Sequence, residues 1–571
     1  MHRSRVTSAS WTRPHRMLAF ASPFVVLALS SCINPLLETP DPPVETRETR
    51  IVVPQSPRNK VDILFLVDNS NSMEAMAQEL RSRFSQFFTV FRDLEQSGTY
   101  ADLHIGVVTS DYGAGQGSAA CDDYGGGQQG LLQSVGRDAP ASCRPPGGNV
   151  NYIQYQFGPN GQNNLPPSTK ACTQDSDCPG STCDTTRQTC NGTIACAQDS
   201  DCPTGHICSG QVCYQSLVST FTCMASVGTS GCGFEHVLES AVQALRKPEN
   251  GDFLRSDALL TVVFLTNEDD CSAPADSDLF QTSDVLDAPN RYGWRSSYRC
   301  TQFGLTCEGG QLPPYAKSDG LLTCTPGGVS SGGKLNNIQQ YIDAFTKPKS
   351  QGGIKERPAD DVILVGIDAI PTINPADNLV SQPSNGLNQI QVILSDPQTT
   401  VGQPYTECST ITTDPFANPP CVPVLQHSCQ NANPNYRGFF GDPPIRLNTV
   451  INSVPIHTVF SICENDYTPA LQGLGRLIAN QIGVGCITAR LENPTQPDCK
   501  VEDVTQIDAN QSQVRAIRQC DAGETQLPCW KLESKSACVG ISPDGLGLTV
   551  VRGNTPVPPN TTARISCVTV R

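Results

Sequence analysis

A chain of 571 residues is too long for one hydrophobic core, since single cores rarely grow past roughly 250–300 residues, so more than one folded unit is expected. Lys+Arg 39 against Asp+Glu 55 leave a net charge of −16, which excludes the basic surface that nucleic-acid binding requires. Twenty-seven cysteines exclude a reducing compartment; no C-x2-C pair occurs and the seven histidines are scattered, so disulfides and not zinc sites account for them.

The first residues read as an export signal. Arg3, Arg5, Arg13 and Arg16 precede an apolar stretch, 17–29, too short to span a membrane. It ends in Leu29-Ser30-Ser31-Cys32, which resembles the lipobox of bacterial lipoproteins. That resemblance implies a signal peptide over 1–32, lipidation of Cys32, and a protein anchored to a membrane without crossing it. The other reading is an ordinary signal peptide with an incidental cysteine. Setting Cys32 aside leaves 26 cysteines (27 − 1), an even number that thirteen bridges would use up. Residues 33–60 carry six prolines and no periodicity, so they read as a tether; 28 flexible residues span about 30 Å. Ile33 is not the aspartate that resembles an inner-membrane retention signal, which favours the outer membrane.

After the tether, 63–67 is a continuous apolar run, as expected of a strand buried on both faces. It stops at Asp68-Asn-Ser70-Asn-Ser72, a carboxylate and two hydroxyls at alternate positions, and hard oxygen donors suit a hard divalent cation. Met76, Leu80, Phe84, Phe87, Phe91 and Leu94 then form one helical stripe. Strand, D-x-S-x-S and helix together resemble the von Willebrand factor A (VWA) domain with its metal-ion-dependent adhesion site. The resemblance implies an α/β fold with a doubly wound, mainly parallel sheet, and Asp68, Ser70 and Ser72 as ligands of Mg²⁺ (or Mn²⁺ or Ca²⁺).

Further pieces follow in the order that family requires. Residues 103–111 read as a second buried strand, with His104 in the core, and 151–157 as an antiparallel edge strand. Val227-Gly-Thr229 precedes another helical stripe through Leu245, and Thr229 matches the family's metal-approaching threonine. Residues 259–266 form a third buried strand, followed by Asn267-Glu268-Asp269-Asp270. In the family an aspartate at this strand end completes the metal shell; here Asn267 stands in its place and brings no charge. The carboxylate count is therefore one, Asp68, unless Glu268 or Asp269 turns inward. A helix over 335–345, a strand over 362–367, a last strand over 455–462 and a closing helix from Thr468-Pro469 complete a VWA domain spanning 61–485. Strands alternating with helices place Asp68, Thr229 and Asn267 at the carboxyl ends of the sheet.

Three disulfide-rich insertions interrupt that domain. Cys172, Cys178, Cys183 and Cys190 recur as Cys196, Cys202, Cys208 and Cys213, two copies within 172–213 that resemble small repeats of bacterial surface proteins. Each copy is too small for a core of its own and would be held by two disulfides, its Asp-Ser-Asp turns lacking an EF-hand ligand series. Residues 271–334 and 371–450 are long, locally stapled loops that would wall the metal face. Residues 486–571, with six cysteines, read as a small β-rich module.

These features point to a binding protein and not an enzyme: there is no H-E-x-x-H, no G-x-S-x-G and no phosphate loop. A metal-dependent hydrolase would need a base beside the ion, for which Glu268 or Asp269 is at hand. The resemblance instead implies that an acidic group of a partner protein completes the coordination. The alternative is an envelope scaffold with a vestigial metal site, binding through its insertions.

Overall fold

In the computed structural model the described residues are 46–570 apart from 55–58, 97–98, 115–120, 122–125, 179–180, 187, 281–291, 293–296, 313–315, 371–387, 397–406, 411–420, 432, 488, 509–510, 522, 524, 536–537, 539–541 and 553–560. The signal segment, Cys32 and the first part of the expected tether lie outside them, as does much of the 371–450 insertion.

Two six-stranded sheets organise the chain. The first strand, β1 (Thr46–Pro54), belongs to the second sheet and is taken up below. The central sheet comprises β2 (Lys60–Val67), β3 (Asp102–Thr109), β4 (Ile153–Gln156), β5 (Leu259–Leu265), β6 (Val362–Asp368) and β7 (Ile456–Ser461), in the spatial order β7-β6-β5-β2-β3-β4. Every pair is parallel except β3–β4, which is antiparallel with Leu103 opposite Tyr155. The fold is thus mixed α/β with a mostly parallel central sheet. Its strand order reverses between β2 and β5, the position where open parallel sheets bind ligands outside their carboxyl ends. Val67 pairs with Thr109 and with Leu265, so those strand ends stand level.

Both faces of this sheet are covered, which explains its near-continuous apolar runs. Ile63, Phe65 and Val67 point to one side, where α1 (Glu74–Arg83), α2 (Ser85–Gln96), α3 (Leu217–Met224) and α7 (Thr468–Ala479) pack. The single helical stripe expected over 76–94 is two helices joined at Phe84, and α3 was not anticipated. Phe65, Phe84, Phe87 and Phe221 form an aromatic cluster there. Helices α2 and α7 approach closely because residue 475 is glycine: a Cβ at Gly475 would lie 3.1 Å from the Phe87 carbonyl. Leu64 and Leu66 point to the other side, against α4 (Val237–Arg246), α5 (Gln339–Thr346) and α6 (Ile445–Ile451). His104 is a core histidine; its Nδ1 lies 2.9 Å from the Phe253 carbonyl, and burial lowers its pKa to about 4.

Thirteen disulfides join 26 cysteines, every cysteine but Cys32. A chain so bridged belongs outside the cytoplasm. Among the described residues, no helix is long and apolar enough to cross a membrane. Both copies of the 172–213 repeat use the same pairing, first to third and second to fourth cysteine. Their aspartates are turn-formers: Asp177 Oδ2 accepts from the amides of Thr173 and Gln174, and Asp201 Oδ2 from those of Ala197 and Gln198. The 271–334 insertion is stapled within itself by Cys271–Cys300 and Cys307–Cys324.

The C-terminal sheet holds β8 (Cys499–Asp508), β9 (Gln511–Gln519), β10 (Cys529–Ser534), β11 (Leu546–Val551) and β12 (Thr561–Val570), in the order β1-β12-β8-β9-β10-β11. Strand β12 alternates buried and half-buried residues, with Ala563, Ile565 and Cys567 facing a core of Val501, Ile517, Trp530 and Leu548. The expectation of a structureless tether through residue 60 fails at β1, which pairs antiparallel with β12 from Thr46↔Val570 to Pro54↔Thr562. The stretch Thr49-Arg-Ile-Val-Val53 has strand-forming β-branched residues, and Pro54 ends the strand, where a missing N–H is tolerated. Only residues 55–59 join β1 to the amino end of β2, at most about 20 Å of chain. The C-terminal sheet therefore attaches near the pole opposite the carboxyl ends of β2, β3 and β5.

Removing β1 bares the backbone edge of β12, a template for pairing between copies. A chain beginning at residue 60 should melt at a lower temperature than one beginning before Thr46, and should associate as concentration rises in size-exclusion chromatography. Equal melting and monomeric elution of the two would show that β1 does not hold this sheet.

Candidate metal centre

At the carboxyl end of β2 the chain turns sharply: the Asp68 amide still bonds to the Leu265 carbonyl at 2.9 Å, while Asp68 Oδ1 accepts from the Ser70 amide at 2.9 Å. That second bond closes a turn which throws Ser70 and Ser72 to the side of Asp68. The helix α1 begins directly afterwards and anchors the turn through Met73 and Met76 in the core. The Ser70 and Ser72 hydroxyl oxygens are 3.2 Å apart, and Ser72 Oγ donates to Asn267 Oδ1 at 3.0 Å. Four of the expected ligands, Asp68, Ser70, Ser72 and Asn267, are thereby brought together from the ends of the two strands that flank the order reversal.

Thr229 is positioned by its loop. The Gly231 amide donates to the Asn69 carbonyl at 2.8 Å, tying the 227–233 loop to the turn after β2. Glycine at 231 leaves room for the Asn69 side chain: a Cβ there would sit 2.3 Å from Asn69 Oδ1 and would force that side chain to move. The Cys121–Cys232 disulfide ties the same loop to the segment after β3. Asp68, Asn69, Ser70 and Asn267 are buried, whereas Ser72, Thr229 and Glu268 are half-buried and Asn71 and Ser230 exposed. Solvent therefore reaches this region at Ser72, Thr229 and Glu268.

Asp269 does not turn inward. Its two oxygens accept from the amides of Arg446 and Leu447 at 2.9 Å each, at the start of α6, where a carboxylate complements the helix dipole. Asp270 is likewise committed, to Arg446, to the Leu238 amide and to Ser272. From the described part of the 371–450 insertion, the Asp442 amide donates to the Asn267 carbonyl at 2.8 Å, and Gly441 packs against Asn267. Phe280, from the 271–334 insertion, packs on Phe234 and His236.

Three residues that sequence reasoning passed over complete the surroundings. Ser110 Oγ donates to Asp68 Oδ1 at 3.1 Å and Thr266 Oγ1 to Asp68 Oδ2 at 2.9 Å. The signal for Ser110 was present, because it follows β3 as Asp68 follows β2 and those ends are in register. The third is Glu235, just before α4, buried against Glu268. Burial holds the Asp68 carboxyl above the ordinary carboxylate range, opposed by its hydrogen bonds to Ser70 and Thr266. Burial also holds Glu235 well above the ordinary carboxylate range, helped by the like charges of Glu268 and Asp68.

These residues fit a hard cation. The donors are hydroxyl, amide and carboxylate oxygens without sulfur or imidazole, the set that suits Mg²⁺, Mn²⁺ or Ca²⁺. Around them lie fully buried polar atoms without a hydrogen-bond partner among the described residues: the Asn69 amide, Asn267 Nδ2 and Glu235 Oε1.

No protein-family model matches the chain, and no curated protein matches it. Among solved structures, the pilus adhesin RrgA from Streptococcus pneumoniae aligns with 91% of this chain at 10% identity and a TM-score of 0.21. The chain spans 57% of that adhesin's length, and a likeness of this size carries no argument about fold or function.

Proposed function

We propose that this chain is an extracytoplasmic binding protein of the VWA type, anchored to a membrane through Cys32, that captures an acidic group of a partner protein. The observation that carries the reading is the contact chain Ser70–Ser72–Asn267, closing beside Asp68 where the strand order reverses, with Ser72 half-buried. Asp68, Ser70, Ser72 and Thr229 would hold Mg²⁺, with Asn267 contributing an amide oxygen. When bound, the cation supplies Lewis acidity toward an incoming carboxylate. The protein's part is to hold those oxygens on rigid strand ends: Ser110 and Thr266 fix the Asp68 carboxylate, and Gly231 keeps the Thr229 loop against Asn69.

Of the two candidate bases for hydrolysis, Asp269 is committed to α6, which leaves Glu268, itself hydrogen-bonded to Glu235, and so favours binding. One observation favours the scaffold alternative: Asp68 already accepts three hydrogen bonds from the protein, so the turn can stand without an ion. The full chain, immobilised and exposed to envelope extract, separates the two. Capture in Mg²⁺ that is lost in chelator supports the adhesion reading; capture indifferent to chelation overturns it in favour of the insertions.

A further inference from the structure

We infer that Glu235 supplies the carboxylate that Asn267 withholds, making the cation centre a two-carboxylate site built from Asp68 and Glu235. The inference rests on the metal reading above and extends it to a residue from outside the D-x-S-x-S turn and the β5 end.

Two backbone hydrogen bonds place Glu235. Its carbonyl accepts from the Cys271 amide at 2.8 Å, which holds it to the segment after β5. The next amide, of His236, donates to the Ser110 carbonyl at 3.0 Å, and Ser110 Oγ is itself bonded to Asp68. Glu235 is thus pinned between the ends of β3 and β5, and the residue after it is bonded to Ser110, whose hydroxyl touches the Asp68 carboxylate. Its side chain is 1% exposed, and its Oε1 has no hydrogen-bond partner among the described residues.

An acid in that position is unfavourable in a protein that uses it for nothing. An unmet buried oxygen costs stability, and a buried ionised carboxylate costs more. Two more carboxyl groups act on it with like charge, Asp68 and Glu268, and Glu268 also hydrogen-bonds its side chain, leaving Oε1 as the unmet oxygen. The unpaired Asn69 amide and Asn267 Nδ2 occupy the same neighbourhood, so the shortage of partners is regional. A divalent cation between Asp68 and Glu235 would satisfy the orphaned oxygen and balance the crowded charge. It would also explain how a site with asparagine at position 267 keeps the charge that hard-cation affinity depends on.

The test is Mn²⁺ titration of the full chain followed by electron paramagnetic resonance of the free ion, with unfolding temperature measured alongside. Wild type should bind one Mn²⁺ through this centre. Glu235→Gln, which keeps size and loses charge, should weaken that binding at least about tenfold while leaving metal-free unfolding temperature equal or higher. Glu235→Asp, as a second variant, should fall between the two and covers the case in which the glutamine variant does not fold. If wild type binds and Glu235→Gln binds within twofold, or Glu235→Asp matches wild type where the glutamine variant is lost, the inference is overturned and the metal reading stands. If wild type binds no Mn²⁺, the metal reading itself fails and takes this inference with it.

Discussion

Replacing Arg446 with leucine should destabilise the folded chain by about 3–5 kcal/mol, the range for removing one partner of a buried ion pair. Both side chains are sealed: Arg446 is 1% exposed and Asp270 fully buried. The guanidinium bonds to Asp270 Oδ2 from Nε at 3.2 Å and Nη2 at 3.1 Å. It also donates to the carbonyls of Gly327 and Asn336, so one side chain ties α6, the segment after β5 and the 271–334 insertion together. Its loss leaves the Asp270 carboxylate, among the described residues, with the Leu238 amide and the Ser272 hydroxyl. Denaturant unfolding of the variant checks the magnitude. Adding Asp270→Asn should restore a large part of the loss, because no buried charge then remains. A single variant within about 1 kcal/mol of wild type would show that this pair does not hold the insertion to the sheet.

The second large effect concerns Asp68→Asn. Asparagine keeps one acceptor oxygen, for the Ser70 amide and the Ser110 hydroxyl, and turns an NH2 toward the Thr266 hydroxyl, which can accept from it while donating to the Glu268 carbonyl; it also removes the charge, so the metal-free protein should fold with unfolding temperature unchanged or raised. The sign follows from burial, which raises the Asp68 pKa in the folded state. A group so raised contributes stability below its unfolded pKa and loses it as pH rises through its folded pKa, so at neutral pH its charge opposes folding. Mg²⁺ should reverse this in wild type. At a concentration one hundred times the dissociation constant it should stabilise the fold by about 2.7 kcal/mol, and the variant should gain nothing. Thermal unfolding with and without Mg²⁺ reads both. A variant that Mg²⁺ stabilises as much as wild type would place the ion elsewhere.

Much of this architecture was legible in the chain because buried parallel strands write themselves as unbroken apolar runs. Residues 63–67, 259–265 and 362–367 are such runs, and each became a strand of the central sheet. The Asp68, Ser70 and Ser72 turn was legible for a related reason, since a local motif needs only local sequence. Asn267 could be placed because it ends one of those runs. What escaped was set by distant contacts. Glu235 carries no local mark, and only the fold brings it beside Glu268 and Asp68. The commitment of Asp269 to α6 depends on a helix start some 177 residues later. Strand β1 was hidden by prolines at its borders, although its β-branched centre was open to view. The short helix α3 lies between two cysteine-rich stretches; its start is set by the Ser216 hydroxyl accepting from the Ser219 amide.

The most direct measurement is anomalous diffraction from crystals of the protein grown with Mn²⁺. The account predicts one strong peak within coordination distance of Asp68 and the Ser70 and Ser72 hydroxyls, absent from Asp68→Asn crystals grown the same way. A map without density there at saturating Mn²⁺, or a peak that persists in the variant, would contradict it.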